Sequence, residues 1–425
     1  MKINLIFKIF IYAVCCTMIF NPGRLLAQAK TETDAAVKRK ILPDISLILD
    51  FGATYRNMKN EKYESLEIPE FTHSHGEEEE GEHSHEGMNA KRGFNFNYGE
   101  LVMSAAVDPY FDLFAAFHLS EEGFEVEEGF INTRSLPGGV QMKAGKFLSS
   151  FGRANSQHAH FWAFNDRPIA YKAFFGDEGL LEKGAQIGWT LPTSFYLFIG
   201  GEILQGENEA SFGYEGYSND SAEVKTSKRP NVYTGFAKTS FDAGSLSVLF
   251  GASGAFGKAR INHELEDDSG HAVYGDAMVL GGDIVMKYFF DSYRYLSLEG
   301  EYLYRSIEGD LYEAETGGTT VSDIEKKQSG YYAQLIARPF TVWRMGIRYE
   351  SLINNSVKAG GVKSGAEKVL PKYSAMLEYN PTEFSRLRLQ YNYDRSLFLE
   401  EKRKPVHEVA LTFNMSIGAH GAHSF

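Results

Sequence analysis

Arg386-Leu387-Arg388-Leu389-Gln390-Tyr391-Asn392-Tyr393-Asp394 alternates without a break between side chains that prefer water and side chains that avoid it. In an extended chain, leucine and tyrosine fall on one face and the charged and amide groups on the other. The closing segment repeats the pattern. Val409, Leu411, Phe413, Met415 and Ile417 alternate with Glu408, Ala410, Thr412, Asn414 and Ser416. A soluble sandwich would leave the aromatic face wet or the charged face dry, and an arginine pointing into lipid at mid-depth costs about 2–4 kcal/mol. A sheet rolled into a tube, with hydrocarbon outside and water inside, satisfies both faces. It also pairs every backbone group and leaves no edge.

Working outward, about sixteen segments read as strands: 44–55, 94–107, 110–119, 124–133, 139–148, 184–191, 194–204, 232–240, 245–254, 276–289, 294–307, 330–337, 342–352, 372–379, 384–395 and 406–417. The joins between them sort by parity. Even-numbered joins are tight turns such as Val107-Asp108-Pro109-Tyr110, Leu191-Pro192-Thr193-Ser194 and Asn380-Pro381-Thr382-Glu383. Odd-numbered joins are often long, polar and Glu-rich. Outer-membrane barrels place short turns in the periplasm and long loops in the medium. The pattern therefore predicts an all-β fold, a transmembrane antiparallel β-barrel of about 16 strands over residues 44–425, in the bacterial outer membrane.

Residues 1–29 read as a signal peptide. Lys2 and Lys8 flank or precede an apolar run, and Ala27-Gln28-Ala29 offers a small-x-small cleavage site. Residues 30–43 follow as a periplasmic N-terminal segment. Cys15 and Cys16 both lie in the signal, so a disulfide framework and thiolate metal sites are excluded from the mature chain. No later stretch approaches the roughly 18 apolar residues of a membrane helix. The aromatic fraction of 14% suits lipid-facing strands with interfacial girdles. The net charge of -13 disfavours nucleic acid and is compatible with attracting cations. The terminal aromatic, Phe425, points to the barrel assembly machinery as a partner, beside outer-membrane lipid. A homotrimer is expected only by analogy with porins of this size.

Counted along the extracellular side alone, three joins are long enough to matter, the first, the third and the fourth. Residues 56–93 form a His/Glu-rich extracellular loop. Residues 149–183 are rich in phenylalanine and carry Trp162, Asp166 and Arg167; a loop this aromatic should pack inside the barrel as a constriction. Residues 205–230 read as plain extracellular loop. Eight of the twelve histidines fall in tight pairs: His73/His75, His83/His85, His158/His160 and His420/His423. Neutral imidazole is a common ligand of zinc, copper and nickel, so all eight are candidate metal ligands. The first loop would hold Zn2+ weakly and exchange it. The competing readings are solvated filler in the first loop, loop-to-wall hydrogen bonds for His158 and His160, and a folding signal for His420 and His423.

By parity Arg344, Arg348, Arg386 and Arg388 face the lumen, and with Asp166 and Arg167 they are candidate pore-lining residues. As a set, they would impose a transverse field across a pore. Singly, each would pair with Glu350, Asp394 or Glu408, which also point inward. The chain contains no Gly-x-Ser-x-Gly, His-Glu-x-x-His or P-loop, and nothing recommends an enzyme.

The stretch EGFINTRSLPGGVQMKAGKF (Glu128–Phe147), then Phe151-Gly152-Arg153 and the Asp166-Arg167-Pro168 region returning to Gly184-Ala185-Gln186, resembles the phosphate-selective porin O and P family. That resemblance implies about sixteen strands with the third join folded inward. His158/His160, Asp166-Arg167-Pro168 and the closing Gly-Ala-His-Gly-Ala-His-Ser-Phe look closer to a zinc- or metal-associated subgroup of outer-membrane proteins. The lysine ladder of phosphate porins is not evident. The expected function is a porin-like channel for passive diffusion of small solutes, linked to transition-metal uptake or binding, with no required cofactor and weakly bound Zn2+. The alternatives are an anion- or phosphate-type porin and a non-conducting surface metal-binding barrel.

Overall fold

Each expected segment is a strand. The computed structural model describes residues 43–71, 88–121, 123–219, 221–263, 265, 270–315 and 318–418. Its staves are β1 (Asp44–Arg56), β2 (Gly93–Ala106), β3 (Phe111–Leu119), β4 (Phe124–Thr133), β5 (Val140–Leu148), β6 (Leu181–Thr190), β7 (Tyr196–Leu204) and β8 (Val232–Ala243). They continue as β9 (Leu246–His263), β10 (His271–Phe289), β11 (Tyr295–Glu315), β12 (Gly318–Phe340), β13 (Trp343–Ala359), β14 (Leu370–Thr382), β15 (Ser385–Asp394) and β16 (Val406–Gly418). The main sheet has 17 strands, of which the two-residue Val362–Lys363 only extends a hairpin; the other sixteen close into an antiparallel barrel. β16 pairs back onto β1, from Ser46 opposite Gly418 to Arg56 opposite Glu408. The expected signal peptide, most of the segment 30–43, His73, His75, His83, His85, His420, His423 and Phe425 lie outside the described residues.

The alternation decides which face meets which solvent. On β15, Leu387, Leu389 and Tyr391 are exposed, whereas Arg388, Gln390 and Asn392 are buried toward the lumen. Aromatic rings border the lipid-facing band. Tyr349, Tyr373 and Tyr393 stand side by side across β13–β15, with centroids 5.0 and 6.1 Å apart. Nearer the periplasmic turns, Trp343 and Tyr379 lie 4.9 Å apart.

The wall is uneven in height. β3, β5 and β7 have 9 residues each, about what a tilted strand needs to cross the hydrocarbon. β10, β11 and β12 have 19, 21 and 23. The excess lies at the extracellular end, and it corrects the sequence reading, which starts the twelfth strand at 330 rather than Gly318. Beyond the bilayer the outer face is wet as well, so Ser322, Asp323, Glu325, Lys326 and Lys327 show no alternation of apolar and polar side chains, although Ile324 among them is buried. At the fifth and sixth extracellular joins β9 accordingly runs to His263, β10 starts at His271, β11 runs to Glu315 and β12 starts at Gly318. The fourth join also departs from expectation. It is not plain loop, because Phe212 is fully buried and Ser211 Oγ donates to the Phe174 carbonyl at 2.6 Å. At the start of the first join, beyond a short helix α1 (Asn60–Glu64), Ile68 is buried and Phe71 stacks on Phe174 at 5.9 Å.

Candidate functional site

Residues 149–180 leave β5, fold into the lumen and return to β6, as the aromatic content of this join predicts. One half of this loop is dry. It contains Phe151 and α2 (Ile169–Phe175), in which every residue except Lys172 is buried. Gly176 ends the helix at φ 71°, a backbone conformation that favours glycine. Phe151, Phe174 and Phe175 pack with Phe212, Val279, Leu303, Ile307 and Leu352 of the wall and fourth join. Each buried phenylalanine contributes roughly 1.5–3 kcal/mol, so the dry half outweighs any single polar contact.

Wall glutamates satisfy the backbone of this half. Glu301 on β11 accepts from the amides of Arg153 (3.0 Å) and Ala154 (2.7 Å) and from the hydroxyls of Tyr171 and Tyr332 (2.6 Å each). Glu202 on β7 accepts from Ser149 Oγ, the Ser150 amide and Thr234 Oγ1 at 2.5, 2.8 and 2.5 Å. Glu350 accepts from the Ile169 amide at 2.8 Å. Glu301 and Glu202 were missed in the sequence. Their inward parity was available as a signal; their loop partners were not.

The other half, residues 157–166, buries Phe164 against Ile336 and Met376 and is otherwise tied to the opposite wall by polar groups. His158 Nε2 lies 2.8 Å from Glu128 Oε2, and His158 Nδ1 lies 3.3 Å from Glu100 Oε1 and 3.5 Å from Glu127 Oε1. His160 Nδ1 contacts the second Glu100 oxygen at 3.0 Å. Burial alone would lower the His158 pKa; Glu100, Glu127 and Glu128 outweigh it and push the imidazole well above its usual range. Asp166 meets Arg348 at 2.6 Å, Lys372 at 2.5 Å and Gln390 Nε2 at 2.6 Å. Burial would raise this carboxyl, but Arg348 and Lys372 hold it well below the ordinary carboxylate range. Arg167 lies over the Trp162 ring at 4.8 Å and donates to the carbonyls of Asp177 and Glu178. Its burial lowers the guanidinium to about 10.

Two cavities flank the polar half. The extracellular one, of about 270 Å³, is lined by eight carboxylates and five Lys or Arg side chains, with His158 facing it. The periplasmic one, of about 660 Å³, is lined by four carboxylates and six Lys or Arg side chains, with His160 facing it. Gln157, Trp162 and Asp166 line both. The loop is thus a partition, and the Glu100 carboxylate touches one histidine on each side of it.

The sequence-selected arginines do face inward, but they are engaged. Arg344 and Arg388 pair with Glu378 at 2.9 and 2.7 Å, and Arg386 donates to the His160 carbonyl at 2.8 Å. Arg388 also donates to the Trp162 carbonyl and Asn165 Oδ1. Of the expected partners only Glu350 pairs with one of them, Arg348, at 3.1 Å. Glu408 pairs instead with Arg56, and Asp394 accepts from the Ser396 amide and hydroxyl. The expected bare arginine wall is therefore an ion-paired scaffold for the loop. Asp166 and Arg167 do line the cavities, and His158 and His160 make the loop-to-wall contacts.

No known family profile matches the chain. It is 50% identical over 389 residues to an uncharacterized protein of Aquifex aeolicus (strain VF5), a match covering 91% of this chain and 81% of that protein. Among solved structures it superposes on a loop L8 deletion mutant of OmpT, an outer membrane protein of Vibrio cholerae, with a TM-score of 0.52 at 10% identity, covering 88% and 99% of the two chains. The outer membrane channel DcaP of Acinetobacter baumannii gives a TM-score of 0.49 at 11% identity, covering 88% and 97%. Closed, girdled by aromatics and apolar outside, this chain is a bacterial outer-membrane barrel with the fold of Vibrio cholerae OmpT, and it belongs to the same family as the Aquifex aeolicus protein.

Proposed function

We propose that the protein is an outer-membrane channel for passive diffusion of small solutes, with transition-metal cations such as zinc among those it gathers and passes. The observation that carries this reading is the pair of polar cavities meeting at the 157–166 arm. A barrel built only as a scaffold would have no need to keep two charged, hydrated chambers on either side of one thin partition. The excess of carboxylates in the extracellular chamber favours cations at the mouth. The histidine pairs His73/His75 and His83/His85 would extend that preference outward as weak, exchanging zinc ligands.

A second reading has its own observation. The periplasmic chamber carries more Lys and Arg than carboxylate, which favours an anion-selective channel. Reconstitution in a planar bilayer under a salt gradient separates the two. Cation-selective reversal potential, shifted by added zinc, is expected. An anion-selective potential indifferent to zinc decides for the second reading. Silence in the bilayer sinks both and leaves a surface metal-binding barrel.

A further inference from the structure

We infer that Glu100, Glu127 and His158 form a specific binding site for a divalent transition-metal ion, on the extracellular side of the partition. The site deepens the channel reading, and its role in solute passage rests on that reading; the binding itself does not.

Three features of the chain build it. First, β4 carries a bulge. Val126 pairs with Phe117 and Glu128 pairs with Ala116, so Glu127 is an extra residue with no partner across the ladder. Strict alternation would send one of two consecutive glutamates into lipid. The bulge turns both Glu127 and Glu128 toward the lumen, the kind of re-aiming that such irregularities provide beside functional sites. Second, β3 lies between β2 and β4 and presents Ala116, fully buried, opposite Glu128, with His118 opposite Glu100 on the ladder and the Phe114 ring 6.4 Å from that of His158. That small residue leaves room for Glu100 and Glu128 to reach the His158 ring from both sides.

Third, the atoms are arranged as ligands. The Oε2 atom of Glu128 takes the Nε2 proton of His158 at 2.8 Å, and Glu128 Oε1 is fixed by the Leu148 amide at 2.6 Å. This is the carboxylate–histidine pairing that orients an imidazole toward a metal. It leaves Nδ1 facing Glu100 Oε1 at 3.3 Å and Glu127 Oε1 at 3.5 Å. All three ligand atoms lie within 4.8 Å of one another. Glu100 is 2% exposed, yet its Oε1 and His158 Nδ1 meet only as a loose ion pair at 3.3 Å and lack a hydrogen bond of good geometry. In the free chain the imidazolium proton on Nδ1 balances the Glu100 and Glu127 carboxylates, and a divalent cation would take the place of that proton among the same three atoms. The edge of a tetrahedron with metal–ligand bonds of about 2.0–2.1 Å is roughly 3.3–3.4 Å, which the two nitrogen–oxygen distances match. His160 holds the remaining Glu100 oxygen in place at 3.0 Å. One nitrogen and two carboxylate oxygens suit zinc, cobalt or manganese better than a soft monovalent ion. The fourth position opens on the extracellular cavity.

The test uses the full-length chain, purified in detergent, with His73, His75, His83, His85, His420 and His423 replaced by asparagine so that the other pairs contribute nothing. Titration with cobalt(II) is expected to give one equivalent per chain with the intense visible absorption of a four-coordinate ion. Glu127→Gln, at the partly exposed bulge where folding is not at stake, is expected to weaken binding at least tenfold. His158→Gln is expected to abolish the absorption. An octahedral spectrum, no spectrum, or one unchanged by both substitutions overturns the site. Bilayer conductance of the same preparations is read separately. Conductance without the cobalt spectrum removes the site and keeps the channel; the spectrum without conductance does the reverse.

Discussion

The two halves of the inward loop are held by different physics. Residues 169–175 and Phe151 are pressed dry against the tall side of the barrel, and their few polar groups end on buried wall glutamates. Residues 157–166 are held by ion pairs and imidazole contacts to the low side and to β13–β16, beside two cavities. The first half has one good arrangement, because moving it exposes aromatic surface. The second half, with Phe164 against Ile336 and Met376 as its apolar foothold, exchanges partners more readily, because water, a proton or a cation can replace each polar contact. A fixed hinge with a responsive arm is the division of labour a selective partition needs.

The largest test of that division removes the dry half's anchor. Glu301→Ala leaves two amides and two tyrosine hydroxyls without their acceptor. Buried unsatisfied groups cost about 1–3 kcal/mol each, so a loss of at least about 4 kcal/mol of local stability is expected. Hydrogen exchange across residues 149–180 should accelerate by roughly three orders of magnitude, and single-channel conductance should rise several-fold while the barrel stays closed. Unchanged exchange would mean the aromatic packing alone fixes the loop.

A smaller effect is expected from Asp166→Asn, which breaks the contact with Arg348 and Lys372. Removing one partner of a buried ion pair costs about 3 kcal/mol, or roughly a hundredfold in local protection. Only residues 157–166 should lose protection. If 169–175 opens with them, the two halves are one unit and the distinction fails. The same pair fixes a pH response. The Asp166 carboxyl lies below its ordinary value in the fold, so its contribution is complete above the unfolded value of about 3.9 and is lost as pH falls through the lower folded one. Protection that depends on Asp166 should therefore be constant from pH 8 to 5 and fail only in stronger acid. A decline between pH 7 and 5 that Asp166→Asn abolishes would contradict this.

Legibility followed solvent contrast. Where strands cross lipid, alternation located them to within a few residues; the fourth, Phe124–Thr133, coincides with its expected limits. Where β10–β12 rise into water, the contrast vanishes and so did the reading. Within the loop, phenylalanine content announced burial, and the His158/His160 spacing announced chemistry. The carboxylates that complete the site were not announced. Glu127 points inward only because of a bulge, which no periodicity reveals. Glu378, the shared partner of Arg344 and Arg388, lay in view by parity, but pairing across β13–β15 depends on register that sequence alone does not set.

The smallest effect is expected at the tall rim. Tyr217, Val224, Leu265 and Ala272 form a small buried cluster beside Tyr312 and Ala314, far along the hairpin from the partition. Asn219 Nδ2 donates to Thr319 Oγ1 at 2.7 Å across the same tip. Replacing residues 312–321 by a tight turn removes these contacts but no residue that lines either cavity or belongs to the apolar cluster around Phe174. Hydrogen exchange should rise at 217–224 alone, with conductance and the protection of 149–180 unchanged. The reason is geometric: above the bilayer the hairpin is supported by its own ladder and by the fourth join, whereas the partition takes its support from wall residues at membrane depth. A conductance change in this variant would show that the rim reaches down to the arm, and that the loop's two halves are not the whole of the gate.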